Sequence, residues 1–289
     1  PGRISLSPML SYRGKLCGDL TVACLDENEF MVFGSGAAQE MHRRWFESHI
    51  DKFNLSYSNR SDEYHGLSIA GPNSRKVLEK IVRDDVSNEK FKFRDSRRMF
   101  VGGVPAIINR ISFTGELGYE IYVAPHYQLK LYEELMEAGK EFNIKPFGGR
   151  ALMSMRLEKN WGAWTLDYRP DFTAKETGLD AFINWDKEFI GKESAQKENS
   201  SNKLVPLIVE TNEIDVTNNE AVLNGDQSIG YVTSGGFAHF VNKSVAFTFV
   251  DQKNIKSENK IQVEINGDLF NCSIIKEPLY DPSGQKMRS

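Results

Sequence analysis

The residues best suited to chemistry form a short run between two apolar segments. The run S-F-T-G-E-L-G-Y-E at residues 112–120 holds two glycines and two carboxylates. Apolar residues precede it over 104–111 and follow it over 121–123, so the pattern predicts a strand, a tight turn and a strand. Glycine in such a turn lets the backbone approach a ligand closely, and a carboxylate can accept paired N–H donors. A hairpin with two solvated glutamates is the alternative.

Composition excludes several classes of function. The chain has 289 residues and a net charge of −4, which argues against nucleic acid, because nucleic acid needs a basic surface. No run approaches the roughly 18 apolar residues of a membrane span, so no membrane partner is predicted. Three cysteines, Cys17, Cys24 and Cys272, fit no metal or disulfide spacing, which predicts no metal site and a reducing, cytoplasmic compartment. His42 and His49 are predicted on the surface of one helix.

The positions of these residues depend on a mixed series of strands and helices. Predicted strands cover 16–25, 29–33, 55–58, 67–70, 100–111 and 119–123, and predicted helices cover 37–50, 71–82, 127–142 and 148–159. A polar run at 196–203 marks a boundary, after which short apolar runs and Asn-Gly turns predict a small antiparallel barrel or sandwich. The predicted domains are therefore residues 1–196 and 197–289.

Several motifs resemble, in order, those of the glycine-cleavage T-protein (aminomethyltransferase) family. T-G-E-L-G-Y-E at 114–120 resembles its T-G-E-x-G-Y-E signature, and S-P-M-L with D-L-T-V between residues 7 and 22 resembles a second motif. Further matches are G-P-N-S at 71–74, R-L-E-K at 156–159 and E-P-L-Y-D-P at 277–282. The resemblance implies an α+β fold: antiparallel-sheet folate-binding domains with flanking helices, and a C-terminal β-barrel. It also implies that the chain lacks an N-terminal segment that the family normally has.

Y-R-P at 168–170 and the E-P-L-Y-D-P ending look more like the C-terminal folate-binding part of dimethylglycine and sarcosine dehydrogenases. This resemblance implies tetrahydrofolate-dependent capture of a methylene (iminium) unit from an N-methyl or aminomethyl donor, giving 5,10-methylenetetrahydrofolate. No dinucleotide fingerprint occurs, so FAD is expected only in a separate or missing domain or subunit. A lipoyl carrier protein is the other implied partner. A folate-dependent demethylase of a sulfonium or other methyl donor and a non-catalytic folate-binding module are the alternatives.

The resemblance also implies roles for individual residues. Asp19, the aspartate of D-L-T-V, is expected to be catalytic: it would orient and deprotonate the nitrogen that captures the carbon, and stabilise iminium charge. Glu120 is expected to accept hydrogen bonds from the pterin in a bidentate way. Phe113 stands where related dehydrogenases often have tyrosine, and could stack on the pterin. Tyr119 completes the expected folate contacts on this run, with packing beneath the turn as the alternative for this residue.

Arg150 is a further expected folate contact. T-proteins carry a folate-binding arginine four residues before R-L-E, a position that is Leu152 here, and Arg150 is the nearest arginine. Arg156 and Glu158 are predicted to form a structural ion pair.

Overall fold

Two open antiparallel sheets and one closed barrel form the β-structure of the computed structural model, which describes residues 1–211, 213–255 and 260–289. The first sheet contains β1 (Arg3–Leu10), β2 (Leu16–Asp26) and β3 (Glu29–Phe33), in that order. An acidic turn at Glu27 and Asn28, in the gap between the strands predicted over 16–25 and 29–33, joins β2 to β3. The predicted strand over 55–58 is wrong, because that segment follows α1 (Gln39–Glu47) as a loop without a partner strand and Leu55 is 58% exposed.

The second sheet has the order β4-β7-β6-β5. Its elements are β4 (His65–Ala70), α2 (Ser74–Glu79), β5 (Ser96–Val101), β6 (Val104–Asn109), β7 (Gly118–Val123) and α3 (Gln128–Gly139). The predicted single strand over 100–111 is wrong in its extent, because the chain reverses at Gly102 and Gly103, which have φ values of 57° and 79°. Such left-handed backbone favours glycine, so these two residues make the β5–β6 hairpin.

Three helices connect this part to the barrel, and the barrel strands and a final short helix follow them in the chain. They are α4 (Gly149–Glu158), α5 (Ala174–Thr177), α6 (Lys192–Gln196), β8 (Asn202–Val209), β9 (Ala221–Asn224), β10 (Gln227–Ala238), β11 (Lys243–Asp251), β12 (Ile261–Ile265), β13 (Asp268–Ile274) and α7 (Gln285–Arg288). The described barrel strands close in the order β10-β11-β8-β13-β12-β9. The predicted α+β fold with antiparallel sheets and a small C-terminal barrel is confirmed.

Alternation along β7 separates the face that packs in the apolar core from the face that carries Glu120. Tyr119, Ile121 and Val123 belong to the apolar core beside α2 and α3. Because successive side chains of a strand point to opposite faces, Glu120 and Tyr122 lie on the other side of the sheet.

Four consecutive residues of α4 and its end fasten the barrel to the rest of the chain. Arg156 donates to Asp167 Oδ2 at 2.5 Å, and Leu157 packs with barrel side chains. Glu158 accepts the N–H of Phe240 at 2.6 Å, and Lys159 Nζ lies 3.3 Å from Asp281 Oδ2. We call this set the α4–barrel clamp: residues 156–159 with Asp167, Thr233, Ser234, Phe240, Tyr280 and Asp281.

The prediction that Arg156 pairs with Glu158 is wrong. Residues two apart on a helix point in very different directions, so these side chains cannot meet. Each instead finds a partner distant in sequence.

The prediction that His42 lies on the surface is also wrong. His42 is buried, with its ring 5.9 Å from that of Trp164, and burial lowers its pKa. A Cβ at Gly18 would lie 2.8 Å from His42 Nε2, so the glycine lets α1 approach the first sheet closely.

Candidate functional site

A cavity of about 700 Å³ lies along β4, the edge strand of the second sheet. Its walls come from β4, the start of α2, the turn over 111–114, β7, α3 and the loop over 142–149 that follows α3. Most of the lining is apolar, and its titratable side chains are Glu120, Tyr132 and Lys145. A mainly apolar cleft with few polar groups is typical of small-molecule sites.

Glu120 presents a half-satisfied carboxylate to this cavity. Tyr122 donates its hydroxyl to Glu120 Oε2 at 2.6 Å. Among the described residues no hydrogen bond reaches Oε1. Burial raises the pKa of Glu120, and the hydrogen bond from Tyr122 lowers it. Because Oε1 makes no such bond and Glu120 lines the cavity, Oε1 can accept an N–H group of a ligand.

Asp19 lies on β2 and does not line the cavity. Burial raises its pKa to about 6, which makes it a base of near-neutral strength. Asp19 and Thr21 share one face of β2, and Phe33 pairs with Thr21 on that face. The Phe33 ring lies 4.4 Å from the ring of Tyr122, the partner of Glu120. The face of the first sheet that carries Asp19 therefore contacts the face of the second sheet that carries Glu120.

The other predicted folate contacts have three different environments. Phe113 is partly buried and lines the cavity beside Glu120. Tyr119 is 0% exposed and stacks on Phe91 in the core, so the structure does not bring it to the cavity. Arg150 is exposed in the first turn of α4, whose neighbouring residues Gly149 and Leu152 line the cavity while Arg150 does not. Alternation along β7 explains Tyr119, because it must face away from Glu120.

The turn before β7 is fastened to the clamp. Gly115 has a φ of 86°, and a Cβ there would lie 2.7 Å from Lys159 Cδ, so glycine permits both the turn and the contact. Glu116 accepts the hydroxyl of Tyr280. Glu116 therefore belongs to this junction and not to the cavity lining.

Tyr122 and Phe33 are the site residues that sequence reasoning missed. Tyr122 follows Glu120 by two residues on a predicted strand, and that spacing was a usable signal, because such residues share a face. Phe33 carried no comparable signal, because its contact joins two separate sheets.

The part of the chain that the structure describes contains neither a metal-binding cluster nor a helix suited to crossing a membrane. No group of three His, Cys, Asp or Glu side chains there could hold a metal ion. No helix within the same residues has the length and apolar character needed to cross a membrane.

These features define an α+β protein with a carboxylate-bearing cavity and a C-terminal barrel. The family model described as the GCVT N-terminal domain matches residues 1–187, and the one described as the glycine cleavage T-protein C-terminal barrel domain matches residues 202–281. The chain belongs to the glycine cleavage T-protein family, and the predicted resemblance is confirmed.

Relatives within this family have two kinds of name. The chain is 34% identical over 286 residues to the mitochondrial dimethylglycine dehydrogenase of Homo sapiens, covering 96% of this chain and 33% of that protein. It is 30% identical over 283 residues to the aminomethyltransferase of Thermoanaerobacter sp. (strain X514), covering 96% of this chain and 76% of that protein. The chain thus spans a third of the dimethylglycine dehydrogenase.

A solved structure shows the same fold. The crystal structure of the glycine cleavage system aminomethyltransferase T from Bartonella henselae superposes with a TM-score of 0.83 at 22% identity. The match covers 97% of this chain and 77% of that one.

Proposed function

We propose that this chain catalyses tetrahydrofolate-dependent one-carbon transfer, capturing a methylene unit from an N-methyl or aminomethyl donor. The unpaired Oε1 of Glu120, held in an apolar cavity, carries the proposal, and the names of the relatives support it. The carbon of an iminium donor becomes bonded to two folate nitrogens, and its bond to the donor nitrogen breaks. Of the two folate N–H protons, one is transferred to the donor nitrogen, which leaves as a neutral amine, and the other passes to a base.

The residues of the cavity fit tetrahydrofolate. Its volume lies within the range of about 300–1,000 Å³ that small-molecule sites occupy. A reduced pterin presents adjacent amino and ring N–H donors, which Glu120 can accept through Oε1 and the remaining lone pair of Oε2. The Phe113 ring can stack on the flat heterocycle. When bound, tetrahydrofolate supplies the two nitrogen atoms that accept the carbon.

Asp19 is the proposed base. With a pKa of about 6, its carboxylate is largely ionised at neutral pH and can accept the proton that leaves a folate nitrogen. Its negative charge, only partly solvated, also stabilises the positive charge of an iminium donor. The contact between Phe33 and Tyr122 keeps the Asp19 face beside the Glu120 face.

The donor has to be generated elsewhere. Because the chain spans a third of the dimethylglycine dehydrogenase it resembles, we place the amine oxidation on an FAD-containing domain or subunit. A lipoyl carrier protein is the corresponding partner for an aminomethyl donor. The relatives do not favour a sulfonium donor. The three free thiols fit a reducing compartment, for which we keep the cytoplasm as the proposal.

Anaerobic titration calorimetry with tetrahydrofolate tests the binding step. For turnover, an FAD-dependent sarcosine oxidase supplies the iminium donor, and 5,10-methylenetetrahydrofolate is measured with and without the chain. Formation above the chain-free background supports the proposal. Absence of binding contradicts it, and binding without turnover would favour the non-catalytic folate-binding module.

A further inference from the structure

Tyr122 makes three contacts, and together they link the Glu120 carboxylate to Phe33 of the first sheet. The hydroxyl donates to Glu120 Oε2 at 2.6 Å, and the ring lies 4.4 Å from Phe33 with the two planes inclined by 34°. Across the strand pair, Gly66 leaves room for the ring, because a Cβ there would lie 2.9 Å from Tyr122 Cε1. The tyrosine is therefore packed on two sides with its hydroxyl aimed at one oxygen.

The surroundings of Glu120 offer little other stabilisation of negative charge. Its strand partners, Ser68 on β4 and Asn109 on β6, carry no charge. The other titratable groups facing this region are Tyr132 and Lys145 in the cavity lining, Asp19 on the facing sheet, and Arg98, which lies on the same face two strands away and pairs with Glu29 of β3. Among the described residues no cationic side chain lies within 4.0 Å of the Glu120 carboxylate, and Tyr122 is its only hydrogen-bond donor.

We propose that Tyr122 is a positioning residue that keeps Glu120 ionised and directs its unpaired oxygen into the cavity. A hydrogen bond to the charged form favours that form, whereas burial disfavours it. The hydroxyl thus opposes the cost of removing the carboxylate from water, and the Phe33 ring fixes the direction from which it does so. The consequence for tetrahydrofolate binding rests on the proposed function. The consequence for the ionisation of Glu120 does not.

Tyr122→Phe tests this inference, because it removes the hydroxyl and keeps the ring. With ¹³C-labelled glutamate, the carboxyl resonance of Glu120, assigned by its loss in Glu120→Gln, is followed against pH in the free protein. We expect a titration midpoint at higher pH in Tyr122→Phe than in the wild type. We also expect tetrahydrofolate binding to weaken about tenfold at pH 6 and by less at pH 8, because the carboxylate re-ionises as the pH rises.

Tyr127→Phe is the matched control. Tyr127 packs against the core on the other side of the second sheet and does not line the cavity, so both measurements should keep their wild-type values. Identical midpoints in Tyr122→Phe and the wild type would overturn the inference, as would an equal loss of affinity at both pH values. If the wild type binds no tetrahydrofolate, the proposed function fails, and the carboxyl titration still decides the role of Tyr122.

Phe33→Leu separates the hydrogen bond from the packing. It weakens the ring contact and leaves the tyrosine hydroxyl in place. A titration midpoint near that of the wild type supports the inference even if both variants lose stability. A midpoint shift as large as that of Tyr122→Phe would overturn it.

Discussion

Asp167 in the clamp and Glu120, which is partly buried beside the cavity, are carboxylates that differ in their burial and in their partners. Asp167 is fully buried and accepts hydrogen bonds from Arg156, Thr233, Ser234 and the N–H of Ala163. Glu120 accepts one, from a neutral hydroxyl. A buried charge with several hydrogen bonds holds its neighbours in one arrangement, whereas a partly buried carboxylate with an unused oxygen can still accept a donor from a ligand. The first arrangement suits a junction and the second suits a binding site.

Removal of the proposed base should have the largest effect. Asp19→Asn preserves shape and removes the negative charge, so we expect one-carbon transfer to slow by about 100- to 10,000-fold. Tetrahydrofolate affinity should stay within about tenfold of the wild type, because the side chain keeps its shape and Glu120 is unchanged. Single-turnover measurement of 5,10-methylenetetrahydrofolate formation checks this, and equal rates in both proteins would refute the catalytic role.

Breaking the clamp should change stability. Asp167→Ala leaves the Arg156 guanidinium buried without its carboxylate, at a cost of about 3–5 kcal/mol in the free energy of unfolding. Urea denaturation measures the loss. Asp171→Ala is the control: its carboxylate is 61% exposed and pairs with Arg169 at 3.1 Å. That change should cost less than about 1 kcal/mol. Similar losses in the two variants would show that the buried Arg156–Asp167 pair stabilises the fold no more than the exposed Arg169–Asp171 pair.

Removal of the cavity carboxylate should affect binding and spare the fold. Glu120→Ala leaves ligand N–H donors unpaired, at about 2–4 kcal/mol, which corresponds to roughly 30- to 1,000-fold weaker tetrahydrofolate binding. The free energy of unfolding should change little. Glu116→Ala, which loses only the contact with Tyr280 at the junction, should alter affinity far less. Calorimetry that gave the reverse ranking would move the pterin contact to Glu116.

The smallest expected effects concern pH. Because the pKa of Asp19 is raised to about 6, lowering the pH through 6 protonates the proposed base, and the transfer rate should fall. Because burial raises this pKa, ionisation of Asp19 lowers the free energy of unfolding. The loss of stability is absent below the pKa of the unfolded chain, grows as the pH rises, and is complete above about pH 6. Asp19→Asn should therefore raise stability at pH 7, by about 1–2 kcal/mol after allowance for partial exposure. A rate independent of pH between 5 and 8 would contradict this.

Local signals in the sequence predicted much of the secondary structure. The acidic turn between β2 and β3 and the Asn-Gly turns of the barrel consist of residues that favour turns. The strands on either side of them could therefore be predicted. The strand over 55–58 could not be excluded, because β-forming residues do not reveal whether a neighbouring strand exists to pair with.

The candidate site divides in the same way. Glu120 and Phe113 could be placed at the cavity from their motif, whereas the burial of Tyr119 follows from the face on which its neighbour lies. The partners of Arg156 and Glu158 are distant in sequence, and only the assembled fold reveals them. His42 is buried because α1 packs closely on the first sheet at Gly18. The helical spacing of His42 and His49 could not predict that contact between two elements.

The fastening of the 111–114 wall to the clamp affects how long a ligand stays bound. A short surface turn usually opens by local unfolding at little free-energy cost. Here Gly115 lies against Lys159 and Glu116 accepts a hydrogen bond from Tyr280, so moving this wall also requires breaking its contacts with α4 and the C-terminal segment. Among the described residues the barrel lines no part of the cavity. The contacts at the clamp nevertheless add to the free-energy cost of opening the cavity, and so lengthen the residence time of what it holds.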